Sequence, residues 1–135
     1  MAGMTGSWEN ARPSGASGIG CHLLADLFGV EAALLADAGL LRQLLLEAVA
    51  RSGLRAVAEP VVVSFQPGAG VTGFVVLAES HIAVHSYPER GYLAVDIFTC
   101  GPHADPDAAL EAIADRLHPL RTDAHRHVRG RALTW

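Results

Sequence analysis

Residues 78–101 read Ala-Glu-Ser-His-Ile-Ala-Val-His-Ser-Tyr-Pro-Glu-Arg-Gly-Tyr-Leu-Ala-Val-Asp-Ile-Phe-Thr-Cys-Gly, and they gather most of the groups in this chain that can do chemistry. Ser80 sets a hydroxyl directly after the Glu79 carbonyl, His85 supplies an imidazole, Glu89 a turn carboxylate and Cys100 a thiol. Each has a plain reading when taken singly. A serine is most often an ordinary strand residue, a lone strand histidine is satisfied structurally, and a lone cysteine is a small buried apolar group. A carboxylate in a turn is usually solvated. Together they offer a hydroxyl next to a peptide bond, a base and an acid. A thiol with an ordinary pKa of about 8.5 is mostly protonated at neutral pH.

Two strand patterns must position these groups. Ile82, Val84 and Ser86 point one way, and His81, Ala83 and His85 the other. Leu93, Val95 and Ile97 share a face, with Asp96, Phe98 and Cys100 on the opposite one. Pro88, Glu89, Arg90 and Gly91 read as the hairpin connection between them. Such a pair is expected to bring Ser80, His85 and Cys100 onto one surface. Upstream, Gly20 to Phe28 reads as a strand in which His22 is a satisfied structural histidine. Asp37 caps a helix with Leu41, Leu44, Leu45, Ala48 and Val49 on its apolar side, stopped by Gly53. Arg55 to Phe65 and Val71 to Ala78 read as strands joined by the loop Gln66 to Gly70. Asp105 and Pro106 open a second helix, Leu110, Ile113, Ala114 and Leu117 form its stripe, and Pro119 ends it. His125 and His127 then lie on one face of a last strand. This order predicts an α+β fold: a two-layer sandwich, mainly antiparallel sheet with two main helices on one face.

The 135 residues fit a single domain over residues 19–135, behind a Gly/Ser/Ala-rich tail over residues 1–18 read as disordered. The formal net charge of -4 and the lack of a basic block argue against a nucleic-acid partner. The apolar run from Leu40 to Ala50 is broken by Arg42, Gln43 and Glu47, so no membrane span is expected. The two cysteines, Cys21 and Cys100, make neither a disulfide framework nor a ligand pair, and no signal peptide is read, which together point to the cytoplasm. Gly68 to Gly73 fits G-x-G-x-x-G but runs into Phe74-Val75-Val76-Leu77, a strand rather than a helix, so it reads as a hairpin loop. His125 and His127 have metal-ligand spacing but no third ligand beside them, and no metal is expected.

Several motifs together resemble the prokaryotic S-adenosylmethionine decarboxylase proenzymes. They are Glu79-Ser80-His81, His85-Ser86-Tyr87-Pro88-Glu89, Gly91-Tyr92 and Asp96-Ile97-Phe98-Thr99-Cys100-Gly101. Gly20-Cys21-His22-Leu23-Leu24 and Gly70-Val71-Thr72-Gly73 extend the resemblance, which runs from Gly18 to about Leu117. The resemblance implies cleavage between Glu79 and Ser80. The Ser80 hydroxyl attacks the Glu79 carbonyl, the acyl group moves from nitrogen to oxygen, and elimination and hydrolysis turn Ser80 into an N-terminal pyruvoyl cofactor. Decarboxylation of an α-amino acid builds charge on Cα, and a Schiff base to this ketone spreads it, as pyridoxal phosphate does.

By the same resemblance His85 assists processing, with Thr72 in place of a common serine as support, and Cys100 donates the proton. Glu89 binds the ribose hydroxyls of S-adenosylmethionine, Phe65 stacks on adenine, and Tyr87 occupies an aromatic position of the binding site. The implied active form is a homodimer of processed αβ protomers that face each other through their sheets, with both contributing to each site. The product would serve spermidine biosynthesis. Two departures stand out: Cys21 replaces a common arginine, and the C-terminal region is short and weakly matched. The rival readings are a pyruvoyl-dependent arginine or ornithine decarboxylase and a non-catalytic regulatory homologue. Intact Ser80, His85 and Cys100 argue against the latter.

Overall fold

The computed structural model describes residues 18–78 and 80–131. In chain order the elements are β1 (Gly20–Phe28), α1 (Ala32–Leu35), α2 (Ala38–Ser52), β2 (Val61–Ser64), β3 (Val71–Leu77), β4 (Ser80–Tyr87), a 3-10 turn (Pro88–Arg90), β5 (Tyr92–Cys100), α3 (Pro106–Leu117) and β6 (Arg121–Arg129). The strands form one antiparallel sheet in the order β2-β3-β4-β5-β1-β6. Every strand neighbour in this order reverses direction, so short hairpins suffice for β3-β4-β5. The α+β sandwich read from the sequence is the fold that forms.

Alternation decides which face is covered. Leu23, Leu27, Ile82, Leu93 and Ile97 are fully buried beneath Leu41, Leu44 and Leu45 of α2 and Leu110, Ile113 and Leu117 of α3. Burying each such side chain is worth about 1.5–3 kcal/mol. Both helices start where expected: Asp37 accepts from the Leu40 N–H at 3.0 Å, and Asp105 from the Ala108 N–H at 3.1 Å. Gly53 closes α2 in a left-handed conformation. Ser86 is buried yet satisfied: its Oγ accepts from the Val71 N–H at 2.9 Å and donates to the Leu35 carbonyl at 2.7 Å. It thereby fastens β3 and α1 to β4. The β4-β5 turn needs Gly91, whose φ is 60° and where an added Cβ would stand 3.0 Å from the Val30 carbonyl oxygen.

Two expectations change. The strand read over Arg55 to Phe65 is only Val61–Ser64, with an isolated bridge at Ala56 to Leu77 upstream. Pro60 has no N–H to give a ladder, which breaks the run. The short helix α1 was not foreseen. Apart from Gly18, the tail read over residues 1–18 lies outside the described residues, as does Glu79 of the expected cleavage bond. No helix among the described residues is long and apolar enough to cross a membrane.

Among the described residues, no helix lies on the opposite face of the sheet. Leu24, Phe74, Val76 and Tyr87 are exposed on it, and Val61 and Val63 of β2 continue the same surface. These apolar side chains share the face with polar groups, among them His22, His81, Asp96 and the Thr72–His85 pair.

Candidate active site

Strand geometry separates the expected site residues into two groups. β4 starts at Ser80, which pairs with Leu77, and His81 lies across from Phe98 of β5. His85 lies further along, across from Ala94 on one side and Thr72 on the other. At roughly 3.3 Å per residue, the step from Ser80 to His85 is about 16 Å, and that from Ala94 to Cys100 about 20 Å. His85 and Cys100 do share the open face, but at opposite ends of it. Of the three residues expected on one surface, His85 and Cys100 share the open face without being neighbours on it. Parity was right for His85 and Cys100, and distance along the strand keeps them apart.

The first group is Ser80 with Cys100. Continuing the register one step beyond His81 and Phe98 sets Ser80 across from Thr99, beside Cys100. Ser80 has φ 150°. The other described non-glycine residue with positive φ is His118, at the end of α3. Backbone held in such a sparsely populated region costs on the order of 1–3 kcal/mol, and such residues cluster at functional sites. A cavity of about 670 Å³ opens at this end, lined by Gly20, Cys21, Thr99, Cys100, Gly101 and Pro106 among others.

The second group surrounds His85. Its Nδ1 lies 3.1 Å from the Thr72 hydroxyl, which orients the ring. An aromatic row crosses the sheet here: Tyr87 stacks on Tyr92 at 5.5 Å, Tyr92 on Phe28 at 5.4 Å, and the Arg121 guanidinium lies 4.3 Å over Phe28. The Tyr92 hydroxyl donates to Asp26. Burial, then that hydrogen bond, then the Asp26 charge push the Tyr92 phenol up to about 12. Glu89 is exposed in the 3-10 turn that follows Tyr87. Phe65 lies at the β2-β3 hairpin and is 70% exposed, so it is open to a ligand or to another chain.

A third cluster was not foreseen. His22 of β1, His81 of β4 and Asp96 of β5 converge on the open face, with the two imidazole Nε2 atoms 2.7 and 2.9 Å from the same Asp96 Oδ1. Burial works to raise the Asp96 pKa, but the hydrogen bonds and charges of the two histidines outweigh it and hold the carboxyl below its ordinary value. His22, read as a satisfied structural histidine, is indeed satisfied. The one sequence signal was parity, which places His81 and Asp96 on one face if β4 pairs with β5.

Residues 21–130 match the protein family described as S-adenosylmethionine decarboxylase. The chain is 39% identical over 110 residues to the S-adenosylmethionine decarboxylase proenzyme of Pyrobaculum aerophilum, covering 78% of this chain and 83% of that one. It is 41% identical over 112 residues to the proenzyme of the same name from Aquifex aeolicus, covering 83% of this chain and 82% of the relative. The crystal structure of the adenosylmethionine decarboxylase from Aquifex aeolicus superposes with a TM-score of 0.78 at 40% identity, over 85% of this chain and 93% of that one.

Proposed function

The chain belongs to the S-adenosylmethionine decarboxylase family, and from that premise we propose that it is a proenzyme that cuts itself between Glu79 and Ser80 and then decarboxylates S-adenosylmethionine. The observation that carries the self-cutting is the strained φ of Ser80, at the bond that must break. The Ser80 Oγ adds to the Glu79 carbonyl carbon, the C–N bond gives way to a C–O ester, and the nitrogen becomes an amine. Elimination releases the Glu79 carboxylate, and hydrolysis of the remaining enamine consumes water and frees ammonia. The pyruvoyl group left on residue 80 supplies an electron sink for loss of carbon dioxide. Cys100 then gives its proton to the substrate Cα. His85, oriented by Thr72, moves the proton during processing.

The separation of the two groups, and the exposed apolar side chains of the open face, support a homodimer packed sheet to sheet with helices outside. A two-fold axis between the sheets lets the Ser80 and Cys100 end of one protomer meet the His85 end of its partner. Each composite site then has Glu89 for the ribose diol, Tyr87 in its wall and Phe65 for adenine. Cys21 and Cys100 are in no disulfide, which fits a reducing cytoplasm. Supply of the aminopropyl donor for spermidine follows as the biological role.

Carbon dioxide release from S-adenosylmethionine, arginine and ornithine tests the substrate. S-adenosylmethionine should be preferred. Glu89→Gln should lower its use by about tenfold or more, because a charged acceptor is lost, while self-cleavage continues. Preference for arginine or ornithine by the unaltered protein would overturn the nucleoside substrate.

A further inference from the structure

His81 directly follows Ser80, the residue that the proposed cleavage makes the new chain start, and its side chain is held. The contacts fix the protons. A guanidinium only donates, so Arg129, 3.1 Å from His22 Nδ1, makes that nitrogen an acceptor. The His22 proton is therefore on Nε2 and is donated to Asp96 Oδ1, which also accepts from His81 Nε2. Phe74 stacks on the His81 ring at 5.6 Å, and Phe98 flanks it at 6.1 Å. His22, His81 and Asp96 have ligand atoms within 4.8 Å of one another, as a metal site would. A metal would need the His22 Nε2 lone pair, moving the proton to Nδ1 against the guanidinium. The cluster is a hydrogen-bond network.

We propose that Asp96, braced by His22 and Arg129, anchors the new chain terminus through His81 once the Glu79–Ser80 bond is cut. The inference rests on the self-cleavage proposed above. While the chain is whole, residue 80 is restrained covalently from both sides. After cleavage it ends a strand, and strand ends fray at little free-energy cost. His81 is the first side chain that can stop this from the open face. Asp96 lies on the same strand and the same face as Cys100, so tying His81 to Asp96 fixes the terminus relative to the strand that bears the thiol. His81 and Asp96 are thus positioning residues. Their value appears only after the bond is broken.

That timing supplies the test, read by amide hydrogen exchange over residues 81–83. Asp96→Asn removes the charge, and His81→Phe keeps the ring on Phe74 and Phe98 while removing its N–H. Each is made in the self-cleaving chain and in a Ser80→Ala chain that stays whole. In the cleaved protein each substitution should lower protection by about tenfold or more, and in the whole chain by no more than about twofold. Equal losses in both backgrounds would mark an ordinary structural contact and overturn the proposal, as would unchanged protection in the cleaved chain. A variant that folds but does not cleave would place the network in processing instead. Intact mass of the unaltered protein separates the two levels: a chain that never cleaves overturns self-processing and the anchor together, whereas normal cleavage with unchanged exchange overturns the anchor alone.

Discussion

Mixing two inactive variants tests the composite site. Ser80 and His85 lie on one strand, so backbone geometry sets the distance between them. Five steps of roughly 3.3 Å give about 16 Å, against a hydrogen-bond reach of about 3 Å. Neither side chain is long enough to close that gap, so in the proposed homodimer His85 would act on the Ser80 of the partner protomer. Ser80→Ala alone lacks the attacking hydroxyl, and His85→Ala alone lacks the base, so both should stay whole. Coexpressed in equal amounts, they should form mixed dimers in about half of the pairs, by random assortment about a two-fold axis. One site of each mixed dimer then pairs an intact Ser80 with an intact His85, and the other has neither. About half of the His85→Ala chains should be cut, and none of the Ser80→Ala chains. Intact mass distinguishes them if one variant carries a tag. Absence of any cleavage in the mixture, with mixed dimers present, would refute the reasoning from strand geometry.

Two further outcomes follow from the site. Cys100→Ala should cleave fully but turn over about 10²–10⁴-fold more slowly, and lose activity during turnover as protons reach the wrong carbon. An unchanged rate without inactivation would remove Cys100 as the donor. The two tyrosines make an alkaline titration readable: tyrosinate absorbance should include a phase near pH 12, which Tyr92→Phe abolishes. Because burial first, and then the hydrogen bond to Asp26 and its charge, hold the folded value above the ordinary 10, this setting of Tyr92 contributes stability that is fully present below pH 10 and is lost as pH rises toward 12. A Tyr92 phenol that titrates near its ordinary value would contradict this.

The helices and the long strands were legible because their signals are local. Asp37, Gly53 and Asp105 act within a turn of their own helices, and alternation in 92–100 names both faces of β5. Pro60 was equally visible, yet the run of valines after it concealed how little of Arg55 to Phe65 can pair. α1 has four residues, too few for a periodic signal. At the site, residue type was legible and distance was not: parity placed His85 and Cys100 on one face, but which residues lie side by side depends on register. The His22–Asp96 contact spans 74 positions and arises because β1 returns to pair with β5. Nothing near His22 in the sequence announces it.

Intact mass of the purified protein under denaturing conditions, with a carbonyl-reactive probe on the smaller fragment, tests self-processing most directly. The account predicts two chains, residues 1–79 and residues 80–135, the second with a blocked N-terminus that reacts as a ketone, and a Ser80→Ala protein that stays whole. A chain that remains uncut and still decarboxylates S-adenosylmethionine at its full rate would contradict it.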